Sequence, residues 1–307
     1  MKLIINGSDA DRSVALGEQQ RISISYENTS GEELQDIVLR LHFGGEPAMA
    51  SGASTSVDLV NWKKQDDLAG GTRDHDVLTF SQENVSALAR LPANGRGLIE
   101  LSVPIIATAT SGRDVPILAS VEAVIGAVDK VKVNRTVVTK PITLRLQTDA
   151  ALTAVARYAS EEGAPVGHGP LPPVSGTSTT YRVEWTISKT LHALGRVTVS
   201  ANLPKGVEFT SVTEVGIGEV SYDADRRLVL WTISDVPADA SESRVAFDIK
   251  LTPSEADIGR FASLLGESRV EFTDATLNES LLRTAPALST NMPYDALAKG
   301  KGVVRKP

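Results

Sequence analysis

The sequence predicts an all-β protein made of two tandem β-sandwich domains. Short runs of residues alternate between apolar and polar side chains with a period of two, as strands do when one face is buried. Proline, glycine, asparagine and aspartate separate these runs, which is typical of turns. A length of 307 residues exceeds that of one ordinary sandwich and suits two domains of about 150 residues each.

The clearest alternation lies in residues 181–233. Val183 and Trp185 fall on one face of a predicted strand, and Trp231 lies in phase with apolar neighbours on another. Both tryptophans are therefore predicted to pack in the core. A hairpin is predicted around residues 223–225.

Two segments could form either helix or strand. Residues 117–128 contain several alanines, which permits a helix, but their β-branched content favours two strands paired across a turn at Asp129 and Lys130. Residues 258–265 are predicted to be the most helical segment of the second half.

The predicted domains are residues 1–149, a divergent repeat, and residues 150–307. The connection between them is short, which predicts a defined relative orientation. The second domain contains a Pro/Gly-rich crossing, residues 163–176, which is expected to be extended. It ends in a basic C-terminal tail, residues 299–307, which is expected to be solvated and frayed or to lead to a partner.

The strand pattern of the first half recurs in the second. Ile24, Tyr26, Leu34 and Ile37 correspond in order to Trp185, Ile187, Leu194 and Val197, and Ile99, Leu101 and Val103 correspond to Val245, Phe247 and Ile249. The match is one of pattern more than of identity. It predicts a shared sandwich, with chance similarity of alternating strands as the alternative.

Composition excludes several classes of function. The formal net charge of −7 disfavours a nucleic-acid partner. The chain has no cysteine, which excludes disulfides, cysteine-ligated zinc and a thiol nucleophile. No apolar run is long enough to insert in a membrane, and the first residues lack the pattern of a signal peptide. The expectation is either a cytoplasmic protein or a piece of a longer secreted chain.

Three stretches of the second half, residues 169–187, 197–209 and 218–236, carry a family resemblance. A Pro/Gly-rich entry, a strand with tyrosine and tryptophan, a Leu-Pro-x-Gly-Val turn and a hairpin ending in Trp-x-Ile resemble the immunoglobulin-like repeat domains of unknown function in bacterial cell-surface proteins. Residues 22–43 resemble the strand pair of the same family. The resemblance implies an immunoglobulin-like sandwich and a place on the cell surface or in an extracellular assembly. It supplies no catalytic residues.

The search for chemistry yields few candidate residues. The four histidines, His42, His75, His168 and His192, have no metal spacing and are expected to be exposed or hydrogen-bonded side chains. The pairs Asp9 and Asp11, and Asp223 and Asp225, resemble half of a calcium loop, although aspartate is also an ordinary turn residue and Arg226 and Arg227 would neutralise the second pair.

Trp62 is the one tryptophan predicted to be exposed, and it could stack on a sugar ring. No motif selects a catalytic group or a cofactor, so none is predicted.

The predicted function is that of a non-catalytic structural or adhesive module in a bacterial cell-surface or extracellular assembly. The alternative is a carbohydrate-binding or calcium-dependent adhesin module. Its partners would be other protein subunits or neighbouring domains of a longer chain. The candidate binding loops are residues 44–56, 61–76 and 161–176.

Overall fold

The computed structural model describes residues 1–45, 60–105, 116–189 and 191–307. These residues form strands and three short 3-10 turns, at Trp62–Lys64, Ser86–Leu88 and Glu255–Asp257, and no α-helix. The all-β prediction is confirmed. No helix in these ranges is long and apolar enough to cross a membrane.

The chain divides into two compact units, Met1–Gln147 and Thr148–Pro307. The division falls two residues before the predicted domain boundary. The described strands of the first unit are β1 Lys2–Ile5, β2 Arg12–Val14, β3 Gln19–Glu27, β4 Leu34–Gly45, β5 Asp66–Asp67, β6 Thr72–Asp74, β7 Val77–Phe80, β8 Arg90–Leu91, β9 Arg96–Pro104, β10 Ile117–Val128, β11 Val131–Val138 and β12 Ile142–Leu146.

The first unit has two sheets. One has the order β1-β3-β9-β5, and the other runs β2-β12-β10-β4-β7-β6, with β11 paired to β10 and β8 paired to β4. Residues 117–128 are a strand, paired with β11 across the turn at Asp129 and Lys130 as predicted.

The second unit is built in the same way. Its strands are β13 Ala151–Arg157, β14 Thr179–Ser188, β15 Leu194–Asn202, β16 Val207–Val215, β17 Glu219–Asp223, β18 Leu228–Val236, β19 Glu242–Leu251, β20 Ser263–Leu265, β21 Ser268–Asp274, β22 Glu279–Ala285 and β23 Leu288–Ser289. Their sheets have the orders β13-β14-β19-β16 and β17-β18-β15-β21-β22, and β20 pairs with β23.

The two units share one strand order. The sheet β1-β3-β9-β5 corresponds to β13-β14-β19-β16, and the path β6-β7-β4-β10-β11 corresponds to β17-β18-β15-β21-β22. The pairing register follows the residue correspondence inferred from the sequence, because Ile24 lies opposite Ile99 and Trp185 lies opposite Val245.

The units also share a backbone irregularity. Asp36, in β4, and Arg196, in β15, both have a φ of 51°. Each is the third residue of its strand, and at Arg196 the pairing register of β15 with β21 shifts. A positive φ is unfavourable for a residue with a side chain. The feature that the two strands share is this positive φ, and in β15 a bulge accompanies it.

Trp185 anchors the core of the second unit. Its side chain is fully buried and contacts Phe247 edge to face, with ring centroids 4.9 Å apart. Its indole Nε1 donates to the Ser268 hydroxyl at 3.0 Å, which connects β14 of one sheet to β21 of the other. Trp231 is also fully buried, and its Nε1 donates to the Ile217 carbonyl at 2.8 Å. The prediction that both tryptophans pack in the core is confirmed.

The prediction of a helix at residues 258–265 is wrong. A 3-10 turn, Glu255–Asp257, with a capping box on Ser254, precedes the segment, which ends in strand β20. The main chain pairs instead with the end of the polypeptide, since Gly259 N–H donates to the Val304 carbonyl and Val304 N–H to the Arg260 carbonyl. The segment is extended despite its helical propensity, because its main chain pairs with residues that are distant in the sequence.

The C-terminal tail is not frayed as predicted. Val304 is 1% exposed and belongs to the core of the second unit. Arg305 N–H donates to the Pro173 carbonyl, and Ser175 N–H donates to the Arg305 carbonyl. The Pro/Gly-rich crossing is therefore one of the segments that hold the tail in place.

We expect Ser268→Ala to destabilise the second unit by about 1–3 kcal/mol, because the buried indole N–H of Trp185 loses its acceptor. In denaturant unfolding, Ser268→Ala should lower the free energy of unfolding less in a Trp185→Phe background than in the native protein. Phenylalanine has no indole N–H, so the substitution of Ser268 then leaves no donor unpaired. Ser221→Ala, at an exposed strand position, is the matched control and should change stability by less than about 0.5 kcal/mol. Equal costs of Ser268→Ala in the two backgrounds would contradict this account.

Candidate functional site

Trp62 is not exposed. Asn61 caps a 3-10 turn by accepting from Lys63 N–H at 3.2 Å, and this turn directs the indole inward. The side chain is 6% exposed, with its ring centroid 5.8 Å from that of Phe43 and 5.4 Å from the Arg73 guanidinium. The exposure that made Trp62 a sugar-binding candidate was predicted wrongly. The neighbouring lysines suggested a solvated loop, whereas the capping asparagine indicated a turn.

The first aspartate pair is engaged in contacts within the first unit. The Asp9 carboxylate lies 3.0 Å from Lys2 Nζ, and its hydrogen bond with this lysine lowers the pKa of Asp9. Asp11 accepts from Thr143 N–H at 2.8 Å and so joins the first residues of the chain to β12.

The second aspartate pair lies in the hairpin turn between β17 and β18, as predicted. Asp223 accepts from Arg226 N–H at 3.0 Å, which is the ordinary role of aspartate in a turn. Arg227 does not neutralise this aspartate pair. It donates instead to the main-chain carbonyls of Leu203, Pro204 and Val207. No group of three or more metal-ligating side chains occurs in the described parts of the chain; calcium at Asp9 and Asp11 or at Asp223 and Asp225 stays a prediction.

Each histidine contacts a different partner. His42 is 3.5 Å from Glu122, His75 is hydrogen-bonded to Asp74, and the main chain of His168 pairs with Thr180. His192 is different, because it is 2% exposed and its Nδ1 lies 2.8 Å from the Asp274 carboxylate.

Asp274 is a fully buried carboxylate at the end of β21. Besides His192 it accepts from the main-chain N–H groups of Thr148 at 2.8 Å, Thr276 at 3.0 Å and Leu277 at 3.2 Å. Burial raises the pKa of Asp274, but the bonds from His192 and from the Thr148 and Leu277 main chain outweigh it and hold that pKa below its usual value. The carboxylate thus joins the start of the second unit to the turn between β21 and β22.

Asp295 is a second carboxylate of the same kind, 5% exposed. It accepts from the main-chain N–H groups of Tyr158 at 2.7 Å, Ala159 at 2.8 Å, Leu297 at 3.0 Å and Ala298 at 2.8 Å. Burial raises the pKa of Asp295, and these four bonds more than offset it, so the pKa is lowered. The side chain fastens the C-terminal segment to the end of β13.

Sequence reasoning missed both carboxylates. Each accepts from main-chain N–H groups two and three residues ahead, which is the pattern of an aspartate that caps a turn. That local pattern could have been recognised. Their distant partners, Thr148 and His192 for Asp274 and Tyr158 for Asp295, could not.

Of the candidate loops, residues 44–56 lie almost entirely outside the described residues. Residues 61–76 contain a 3-10 turn and the short strands β5 and β6 rather than an open loop. Residues 161–176 bond to Tyr158, just after β13, and to Thr180 in β14, and Leu171 packs against the core.

Strand β11 is a long strand that is exposed along its whole length. All eight of its residues are exposed. Beside it, a groove of about 250 Å³ opens at one end of the first unit, lined by Leu34, Ile37, Leu39, Ala123, Ile125 and Val137 among others. This strand and groove together form a candidate contact surface of the first unit.

No protein-family model matches the chain, nor does any curated protein. Solved structures show a distant likeness. The C-terminal domain of the AgI/II polypeptide BspA of Streptococcus agalactiae is 11% identical, with 93% of this chain and 99% of that chain covered and a TM-score of 0.31. The C-terminal domain of the antigen I/II-family protein AspA of Streptococcus pyogenes is 9% identical over 93% and 98% of the two chains, with a TM-score of 0.33.

A third structure, the major pilin subunit BcpA of Bacillus cereus, is 10% identical over 88% of this chain and 68% of that chain, with a TM-score of 0.32. At these scores and identities, the likenesses carry no argument about function.

We expect the two buried carboxylates to make the second unit sensitive to acid. An aspartate whose folded-state pKa is depressed contributes stability that is present above its unfolded pKa of about 3.9 and is lost as the pH falls through the folded value. The free energy of unfolding should therefore fall below about pH 4. Denaturant titrations from pH 7 to pH 2 on Asp274→Asn and Asp295→Asn should show lower stability at pH 7 and a flatter acid limb.

Asp225→Asn, which removes one carboxylate from an exposed turn, is the matched control. An acid limb as steep in Asp274→Asn and Asp295→Asn as in the native protein would contradict the assignment.

Proposed function

We propose that this chain is a non-catalytic structural or adhesive module of a bacterial cell-surface or extracellular assembly. One observation carries the proposal. An ionised carboxylate can accept about four hydrogen bonds, and Asp274 and Asp295 each accept bonds from four donor groups of their own chain. The buried carboxylates of the described chain thus hold segments of polypeptide together and have no acceptor site left for a substrate.

Two other buried ionisable groups, Lys189 and His192, support the same proposal. Lys189 donates to the Ala238 carbonyl at 3.0 Å, and His192 is bonded to Asp274. Catalytic acids and bases have to reach a substrate. These side chains instead connect loops at one end of the second unit, which favours a role as a mechanical element.

The proposal includes a duplication of one immunoglobulin-like sandwich. The shared strand order, the equivalent cross-strand pairs and the matching positive φ of Asp36 and Arg196 support it. Tandem copies of one closed domain are a means of spacing and presenting surfaces. The place on the cell surface rests on the resemblance of residues 169–187, 197–209 and 218–236 to repeat domains of bacterial surface proteins.

Each half is proposed to fold as its own domain, and residues 148–307 should be more stable than residues 150–307. The shorter piece lacks two hydrogen bonds. One is donated by Thr148 N–H to the Asp274 carboxylate, and the other is donated by Leu191 N–H to the Asp149 carboxylate at 3.1 Å. We expect a difference of about 1–3 kcal/mol in denaturant unfolding. Equal stabilities would show that these two bonds contribute nothing to the domain.

Immunogold labelling of intact cells of the source organism tests the proposed location. Antibody against the chain should label intact cells, and external protease should remove the signal while sparing a cytoplasmic marker. Labelling that appears only after lysis would overturn the proposed place of the module.

A further inference from the structure

Strand β11 has a free edge. In the described residues it pairs on one side only, with β10. Thr139 N–H donates to the Val121 carbonyl, and hydrogen-bonded pairs alternate along an antiparallel ladder. Val137 and Arg135 therefore direct their main-chain groups toward β10, whereas the main-chain groups of Thr136 and Val138 point to the free edge. These outward groups can pair with one more strand.

The side chains of β11 are unusually apolar for so exposed a strand. Val131 is 64% exposed, Val133 43%, Val137 40% and Val138 58%. Val137 lies opposite Ala123 in the register, so it stands on the face that carries the core positions of β10. On that face the groove of about 250 Å³ continues from Val137 and Arg135 to Leu34, Ile37 and Leu39. Lys132 and Arg135 stand on this same face, opposite Ala127 and Ile125, whereas Val131 and Val138 stand on the other face, opposite Val128 and Glu122.

The charge of this segment is opposite to that of the protein. Lys130, Lys132, Arg135 and Lys140 lie within residues 130–140, which contain no acidic residue, in a chain of formal net charge −7. The like charges disfavour the pairing of β11 with β11 of a second copy. They favour an added strand that carries carboxylates, because opposite charges on neighbouring strands attract.

We propose that β11 docks an extended acidic segment of a partner protein, which adds to the sheet as a further strand. The partner segment alternates apolar residues with carboxylates. The carboxylates face the groove side of the sheet, where they pair with Lys132 and Arg135, and the apolar side chains on the opposite side cover Val131 and Val138. This docking surface rests on the proposed module role, to which it adds a site and a class of partner.

A labelled peptide tests the docking directly. The probe is a fluorescein-labelled peptide of about nine residues in which valine and glutamate alternate, and its anisotropy is measured as the whole protein is titrated. The peptide should bind, and its affinity should fall as salt rises. A peptide with lysine in place of glutamate should bind at least tenfold more weakly.

Two variants locate the binding to β11. Lys132→Glu combined with Arg135→Glu should weaken binding at least tenfold, and Thr136→Pro should do the same because it removes an outward N–H. The affected side chains are exposed, so both variants should keep the thermal unfolding midpoint of the native protein. Lys63→Glu combined with Lys64→Glu, in the turn Trp62–Lys64, is the matched charge control and should bind the peptide normally.

Several results would overturn the proposal. These are absence of peptide binding up to millimolar protein, equal binding to the lysine peptide, and equal loss in the Lys63 and Lys64 control. Self-association abolished by the β11 charge reversal, without peptide binding, would assign the edge to a second copy. Binding to phosphatidylserine vesicles without peptide binding would assign it to a membrane. None of these results contradicts the module role, which the labelling of intact cells decides.

Discussion

The buried carboxylate of Asp274 is the interaction on which the second unit depends most. It lies where three segments meet: the first residue of the unit, the loop that carries His192, and the turn between β21 and β22. A carboxylate is stable in such a place only when its oxygens are saturated with donors. Among the N–H groups that donate to it, that of Thr148 is buried and would have no acceptor without it. Removal of this one side chain would therefore release segments that are up to 126 residues apart in the sequence.

The strands could be predicted from the sequence because their signal is local. Alternation of apolar and polar residues identifies the buried face of a strand without any knowledge of its partner strand. The burial of Trp185 and Trp231 could therefore be predicted from their alternation with polar neighbours. The hairpin formed by β10 and β11 was predictable for a similar reason, since β-branched residues flank a recognisable turn. Even the correspondence of the two halves, drawn from pattern, agrees with the observed pairing of Ile24 with Ile99 and Trp185 with Val245.

What failed in the sequence analysis depended on contacts between distant segments. Residues 258–265 have helical propensity, but the end of the chain supplies their hydrogen-bond partners. The same pairing explains why a basic, glycine-containing tail is ordered. Trp62 was misjudged because its neighbours are charged, although Phe43 and Arg73 enclose the ring. The candidate docking strand β11 was recognised as a strand, yet its exposure could not be foreseen, since valine at alternate positions ordinarily indicates a buried face.

The way the C-terminal segment is held bears on mechanical load. Val174 and Arg305 form a parallel bridge, and Arg305 is bonded to both Pro173 and Ser175. A pull on Pro307 along this segment would load the neighbouring bonds together, in shear, rather than open them one at a time. Asp295 lies behind them as a second attachment. Under tension, the lifetime of the domain would be set by the rate at which these joined bonds rupture and not by its equilibrium stability.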